Sequence, residues 1–328
     1  MKILSEADEL KEDTLYILGD RHGYDSQGVD TLHRDVVTII AKAHYGINIS
    51  DEELTEILGS FENPNNLIKG LEYQVQQRGI EVVHPDKRIA VVSVGDLVCS
   101  RKPGEMKTRN VVGKAAKEAR LKGINQYVAL VDLMEKAMKD EEQKDKMYEL
   151  AKKFSSLTSR RFESMKGVED YINFRHLLGN ADLLPSVLIS TIAPELETLV
   201  DIYQNSGVFE DVVDNPAVIY DKGLGFVFVP YSIDFNESTR HFRQNVRVNE
   251  EAEHLLFTHE TLDTNAVGDG RNVEGRELYN LVISRVKPLA GFSGDTHEPT
   301  TKYQVKVGDI ELDMVQVSPK DVLCYEKQ

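Results

Sequence analysis

Asp20 and His22 follow a short apolar run, Leu15-Tyr-Ile-Leu18, in the turn Gly19-Asp20-Arg21-His22-Gly23. Asp96 follows a second run, Ile89-Ala-Val-Val-Ser-Val94, through Gly95. Asn180 follows Gly179, and His259 follows Leu255-Leu-Phe257 through Thr258. Asp295 and His297 follow Leu289-Ala-Gly-Phe-Ser293 through Gly294. Aspartate, asparagine and histidine supply the oxygen and nitrogen donors that hold divalent cations. Each motif is ordinary alone: a Gly-Asp pair usually makes a turn, and a lone histidine usually packs or solvates. Five in succession, each closing a β-like run or turn, are hard to explain that way. In open α/β sheets ligands gather beyond the carboxyl ends of strands. The preceding glycines allow the sharp turn that would aim such side chains at one centre. A set of carboxylates, imidazoles and one amide can hold two divalent cations roughly 3.5–4 Å apart, which activate water for attack on phosphorus.

The elements that must position these residues are legible in outline. Helical patterns run over about 29–44, 51–59 and 64–78, the second opened by Ser50 with Asp51-Glu52-Glu53 in its first turn. The nearly all-apolar run at 89–94 predicts a strand buried on both faces. Residues 104–175 predict three or four helices: Ile124, Tyr127, Val128, Val131, Met134 and Met138 recur at helical spacing. The pairs Glu135/Lys139, Asp140/Lys144 and Glu142/Lys146 suit an exposed face. Two more helices are predicted at about 183–190 and 193–205. Ala217–Tyr220 and Phe226–Val229 flank a turn at Asp221-Lys-Gly-Leu-Gly225, a hairpin signal. Strands close the chain at 303–307 and 310–317. The fold class expected is α/β (α+β by some schemes): a two-sheet β-sandwich flanked by helices, one domain over 1–328, with a helical insertion at 104–175.

Composition narrows the function classes. The chain has 328 residues, 41% of them apolar, and a formal net charge of -16. That charge weighs against tight passive binding to nucleic acid, though a nuclease stays open because a bound metal reverses the local field. Two cysteines, Cys99 and Cys324, without a CxxC, fit a reducing compartment. The charged start MKILSEADEL is no signal peptide, and no stretch approaches about 18 apolar residues. The expectation is a soluble cytoplasmic protein without membrane contact.

The order GDRHG (19–23), GDLV (95–98), GNAD (179–182), THE (258–260) and GDTH (294–297) resembles the calcineurin-like metallophosphoesterase family. That family's pattern runs D-x-H, G-D, G-N-H-D/E, H and G-H-x-H. The resemblance implies a β-sandwich flanked by helices with two metals at one edge. It implies that Asp20, His22, Asp96 and His297 hold the first metal. Asp96 would bridge to a second, completed by Asn180, His259 and Asp295, with Asp20, His22 and Asp96 at the catalytic heart. The activity implied is phosphoester hydrolysis. Mn²⁺ is the metal pair expected, with Mg²⁺, Fe and Zn²⁺ as alternatives.

Two positions depart from the pattern. Asp295 stands where relatives keep a histidine, and an oxygen donor there favours harder ions such as Mn²⁺ or Mg²⁺. Ala181 stands where relatives keep the histidine that protonates the leaving oxygen, a contribution of about 10²–10⁴-fold in general acid catalysis. His176, His241 and His254 are candidate substitutes, each more simply a packing or surface histidine; Asp182 is a candidate ligand contact or helix cap. The Ser/Thr protein phosphatase branch fits poorly. Cys99-Ser100-Arg101 follows GDLV, and Leu178 precedes Gly179, so arginines that grip phosphate are displaced; Arg101 is the nearest candidate. Val229-Pro230-Tyr231, between the Asn180 and His259 motifs, looks more like the exonuclease branch, so phosphodiesters of nucleic acid or nucleotides are the substrate class expected. The alternatives are a phosphomonoesterase and a metal-binding relative without turnover. A further alternative has residues 104–175 recruit a protein partner. Lys102, Lys107, Arg109, Lys114, Lys117, Arg120 and Lys122 form a basic stretch straight after the Asp96 motif that could touch a phosphate backbone, but a solvated helix face is the favoured reading.

Overall fold

A computed structural model describes residues 2–3, 14–21, 23, 29–59, 64–83, 85–97, 131–132, 134–136, 138–232, 234–262, 275–295 and 299–326. Two sheets face one another. The first runs β1 (Lys2–Ile3), β12 (Val322–Glu326), β2 (Thr14–Leu18), β3 (Ile89–Ser93), β4 (Ile172–Leu177), β5 (Asp211–Val213) across its width. The second runs β10 (Thr301–Val307), β11 (Ile310–Gln316), β9 (Ala290–Ser293), β8 (Glu253–Thr258), β7 (Leu224–Val229), β6 (Ala217–Asp221). Strands β2 to β5 are parallel, and so are β7, β8, β9 and β11. Parallel neighbours need crossovers, and helices supply them. The connection from β2 to β3 carries α1 (Thr31–Tyr45), α2 (Asp51–Leu58) and α3 (Leu67–Gln77); α4 (Glu141–Ser164) precedes β4. Helices α5 (Asn180–Ile192) and α6 (Leu199–Asn205) precede β5, while α7 (Phe235–Asn245) and α8 (Arg276–Val286) flank β8.

Alternation along the strands builds the layers. Leu15 and Ile17 of β2, Val92 of β3, Phe226 and Phe228 of β7, and Leu255 and Phe257 of β8 point into the space between the sheets. Tyr16, Leu18 and Val91 point the other way, into a cluster with α1 to α6. Val227, Val229 and Leu256 meet α7 and α8 on the outer face of the second sheet. A period of two with both phases apolar is what a strand covered on both faces requires. The expected α/β two-sheet sandwich with flanking helices is therefore the fold found.

Local signals held where they were strong. Ser50 Oγ accepts from Glu53 N–H while the Glu53 carboxylate accepts from Ser50 N–H, a reciprocal cap on α2. The β6–β7 hairpin turns on Lys222 and Gly223, both at positive φ, the two-residue turn whose twist suits paired strands. Of the expected charge pairs on α4, Lys146–Glu142 forms at 2.6 Å; Asp140 instead caps the helix through Glu142 and Gln143 N–H.

Of the helical insertion expected at 104–175, residues 104–130 lie outside the described residues, α4 fills 141–164, and the stretch ends in the sheet. Its last four residues open β4, which pairs in parallel with β3. β4 reads Ile-Asn-Phe-Arg-His-Leu and gave no apolar run, because two of its buried side chains are polar and matched. Arg175 meets Glu210, Asp211 and Asp221 and lies 5.1 Å from the Phe226 ring, while His176 meets Asp182. Strands β5 and β12 and helices α7 and α8 were also not expected.

The ring of Phe257 stacks on Phe226, Phe228 and Phe292, with centroids 5.8, 5.3 and 5.4 Å away. Phe257→Ala would open a void shared by both sheets. The expected loss is about 3–5 kcal/mol, read from the urea unfolding midpoint at unchanged slope.

Candidate metal centre

The first four expected ligand positions that can be placed each lie just past the carboxyl end of a parallel strand. Asp20 follows β2, Asp96 follows β3, Asn180 follows β4 and His259 follows β8; Asp295 follows β9 in the same way. His22, His297 and Arg101 lie outside the described residues. The two sheets bring their strand ends to one edge. Tyr231 N–H donates to the Leu178 carbonyl across the gap, and His259 Nδ1 lies 3.3 Å from the Val94 carbonyl.

Hydrogen bonds fix the turns in place. The Asp20 carboxylate accepts from the N–H groups of Asp96 at 3.1 Å and Asp295 at 3.4 Å, so Oδ1 joins three of the turns. Arg21 N–H donates to the Asp96 carbonyl at 2.8 Å. Asp96 Oδ1 accepts from Ala181 N–H at 2.8 Å, in the first turn of α5, where the helix dipole favours negative charge. Asp295 is held at φ 67, a left-handed conformation that aspartate tolerates better than most residues. Asp20, Asp96 and His259 are buried; Asn180 and Asp295 are half-buried.

The glycines are steric requirements here. A Cβ on Gly95 would stand 1.7 Å from Asp20 Oδ1. One on Gly179 would stand 2.0 Å from Asp96 Oδ1 and 2.6 Å from His259 Cε1. The carboxylates and the imidazole occupy the volume that any larger residue would need.

His259 decides the electrostatics. Its Nδ1 lies within reach of the Val94 carbonyl, and its Nε2 lies 3.4 Å from Asn180 N. That Nε2 faces Asn180 Oδ1 at 3.3 Å, Asp295 Oδ1 at 3.7 Å and Asp96 Oδ1 at 4.0 Å. Burial alone would lower the imidazole pKa. The carboxylates of Asp96, Asp295 and Asp20 overcome it and lift the value to about 9. Burial also pushes the Asp96 carboxyl well up; His259 opposes this, and Asp20, Asp182 and Asp295 add to it. The two shifts differ in cause: burial is the largest for Asp96, whereas the neighbouring carboxylates are what lift His259. A proton on Nε2 or a cation between these groups relieves the crowding of negative charge. An imidazole with one ring nitrogen at a backbone carbonyl and the other among oxygen atoms is a common arrangement of metal-ligating histidines, and carboxylate, amide oxygen and imidazole are donor types that a divalent cation accepts. Among the described residues, however, no group of three or more His, Cys, Asp or Glu side chains could hold a metal ion as they stand.

The candidate proton donors are elsewhere. His254 sits in β8 against the Tyr220 hydroxyl, and His241 lies on α7 beside Asn245. His176 is buried behind the Asn180 turn on Asp182. The side chain of Ala181 packs against the helix-side core. Sequence reasoning missed Arg161 and Tyr203, which reach this region from α4 and α6, and Glu260, whose carboxylate accepts from the Tyr279 hydroxyl. No spacing in the sequence marks them. Tyr231, singled out with Pro230, sets its ring edge-on to His259, centroids 6.1 Å apart.

No family model matches the chain, and no curated protein matches it. A solved chain of 9% identity superposes with a TM-score of 0.41 over 96% of this chain and 99% of its own length, a likeness too loose to carry an argument. Among the described residues no helix is long and apolar enough to cross a membrane.

Gly179→Ala tests the steric reading. The added methyl must displace Asp96 or His259, so the expected outcome is loss of calorimetric Mn²⁺ binding with a destabilisation of about 1–3 kcal/mol.

Proposed function

We propose that this chain is a metal-dependent phosphoester hydrolase of the kind its calcineurin-like motifs imply, with a lean to phosphodiesters of nucleic acid or nucleotides. One observation carries the reading: Asn180 Oδ1, Asp295 Oδ1 and Asp96 Oδ1 lie 3.3, 3.7 and 4.0 Å from His259 Nε2 at the strand ends. Asp20, His22, Asp96 and His297 would hold one cation; Asp96, Asn180, His259 and Asp295 would hold another. The oxygen-rich donor set favours Mn²⁺ or Mg²⁺. Bound there, the pair would activate water toward phosphorus and take up charge growing on the phosphoryl oxygens.

The chain's own groups do the orienting. The Val94 carbonyl lies at His259 Nδ1, and Ala181 N–H aims Asp96 Oδ1. Arg21 and Arg161 do not grip substrate: the first pairs with Asp35 and the second with Asp30. Ala181 has no proton to give, so the reading favours a leaving group that needs little protonation. The lean to diesters rests on the Val229-Pro230-Tyr231 layout. Ala181 equally favours a second reading, a relative that binds metal and a nucleotide or protein partner without turnover.

The test is hydrolysis of bis(p-nitrophenyl) phosphate and p-nitrophenyl phosphate by the whole chain with Mn²⁺. The expected outcome is faster diester turnover that falls to background in Asp96→Asn. Ala181→His is expected to raise kcat, by at most about 10²-fold, the low end of general acid catalysis. Bound Mn²⁺ with no turnover by native chain or Ala181→His would sink the hydrolase reading and leave the second.

A further inference from the structure

We propose that Asp182 is a positioning residue that locks the Asp96 turn to the Asn180 turn, and that Arg161 completes the lock from α4. This rests on the metal-centre reading above. Asp182 is wholly buried, and its carboxylate accepts four hydrogen bonds. Oδ1 accepts from Leu97 N–H at 3.0 Å and the Tyr203 hydroxyl at 2.7 Å. Oδ2 accepts from Gly179 N–H at 3.0 Å and His176 Nε2 at 3.1 Å. A carboxylate offers about four lone-pair sites, so all are used.

A helix cap would need only the Gly179 bond. The other three go further. Leu97 directly follows Asp96, and Gly179 directly precedes Asn180, so the width of one carboxylate sets the separation of two turns that carry candidate ligands. Burial disfavours the charged form of Asp182, yet the hydrogen bonds from His176, Gly179 and Tyr203 outweigh it and hold the carboxyl below its ordinary range.

The Leu97 carbonyl is held from the opposite side. It accepts from Arg161 Nη1, while Arg161 Nη2 donates to Asp30 Oδ1 at 2.6 Å. Asp30 in turn caps α1 through Leu32 and His33 N–H. Leu97, the residue next to Asp96, is thus held on its N–H by α5's capping carboxylate and on its C=O by α4. Groups that orient a ligand from outside its coordination sphere are worth about 10–100-fold in metal affinity.

The experiment is Mn²⁺ titration calorimetry and Mn²⁺ electron paramagnetic resonance on the whole chain, its Asp182→Asn and Tyr203→Phe variants, and Leu188→Ala. Leu188 is buried on α5, and its truncation lowers thermal stability without touching either turn. Asp182→Asn keeps the shape but sets an amide N–H₂ against donors. The expected result is Mn²⁺ binding about 10–100-fold weaker, with the exchange-coupled two-ion spectrum lost. Tyr203→Phe removes one donor of four and keeps both backbone bonds, so a smaller loss of the same kind is expected; it decides the matter if Asp182→Asn does not fold. Leu188→Ala should bind as the native chain does. Native-like binding and spectrum in the Asp182 and Tyr203 variants, or a loss matched by Leu188→Ala, would overturn the positioning role and leave the metal centre intact. Failure of the native chain to bind Mn²⁺ would overturn the metal centre and this inference together.

Discussion

Crowded negative charge at one edge of the sandwich is the constraint on which the rest of the structure turns. Asp20, Asp96 and Asp295 gather around His259, with Asp182 directly behind. Isolated buried carboxylates are costly unless hydrogen-bonded or matched by positive charge. The fold answers by spending its irregular backbone there. N–H groups of Asp96, Asp295, Ala181, Leu97 and Gly179 all donate to carboxylates in this small region. Those groups are available because parallel strands end at this edge and their chains turn away, leaving N–H groups outside the sheet ladders.

Away from this edge, buried charge is handled by pairing. Arg161 meets Asp30, Arg21 meets Asp35 and the backbone carbonyls of Ser318 and Asp321, and Arg175 meets three carboxylates and a ring face. Each of these arginines ties together elements distant in sequence: α4 to α1, the Asp20 turn to the connection before β12, and the first sheet to the second. Breaking such a pair leaves an uncompensated buried charge, so each pins a relative position rather than simply adding stability. The contrast matters at the centre. There the chain supplies several carboxylates around one imidazole, and backbone N–H groups donate to Asp20 and Asp96.

The strand-end turns were legible because their signal was local: an apolar run, then a glycine (threonine before His259), then Asp, Asn or His. The sandwich was legible for the same reason wherever both phases of a strand were apolar, as at Val91 and Val92 or Phe226 and Val227. β4 was illegible because Arg175 and His176 read as polar: Asp211 and Asp221, which make Arg175 buriable, lie 36 and 46 residues on, and Asp182, which matches His176, lies beyond the end of the strand. Helix α7 was hidden by a polar sequence, Phe-Asn-Glu-Ser-Thr-Arg-His-Phe-Arg-Gln-Asn, whose inner face is Ser238, Thr239 and Phe242. Helix α8 is different: Leu278, Tyr279, Val282, Ile283 and Val286 lie at helical spacing, so its signal is present in the sequence. Arg161 and Tyr203 belong with β4, since nothing near them in sequence marks their partners.

Ala181 separates two things that the motif usually joins. The backbone N–H at 181 holds Asp96 Oδ1, a task indifferent to side chain, and the first turn of α5 presents it whatever residue stands there. The methyl side chain at 181 has no proton to give and packs against the helix-side core. The neighbouring turns are anchored by backbone, by the Asp182 carboxylate and by glycines that admit nothing larger. Their geometry is therefore independent of the residue type at 181, and on the function proposed above a leaving group that departs as a stable anion would need no donor there.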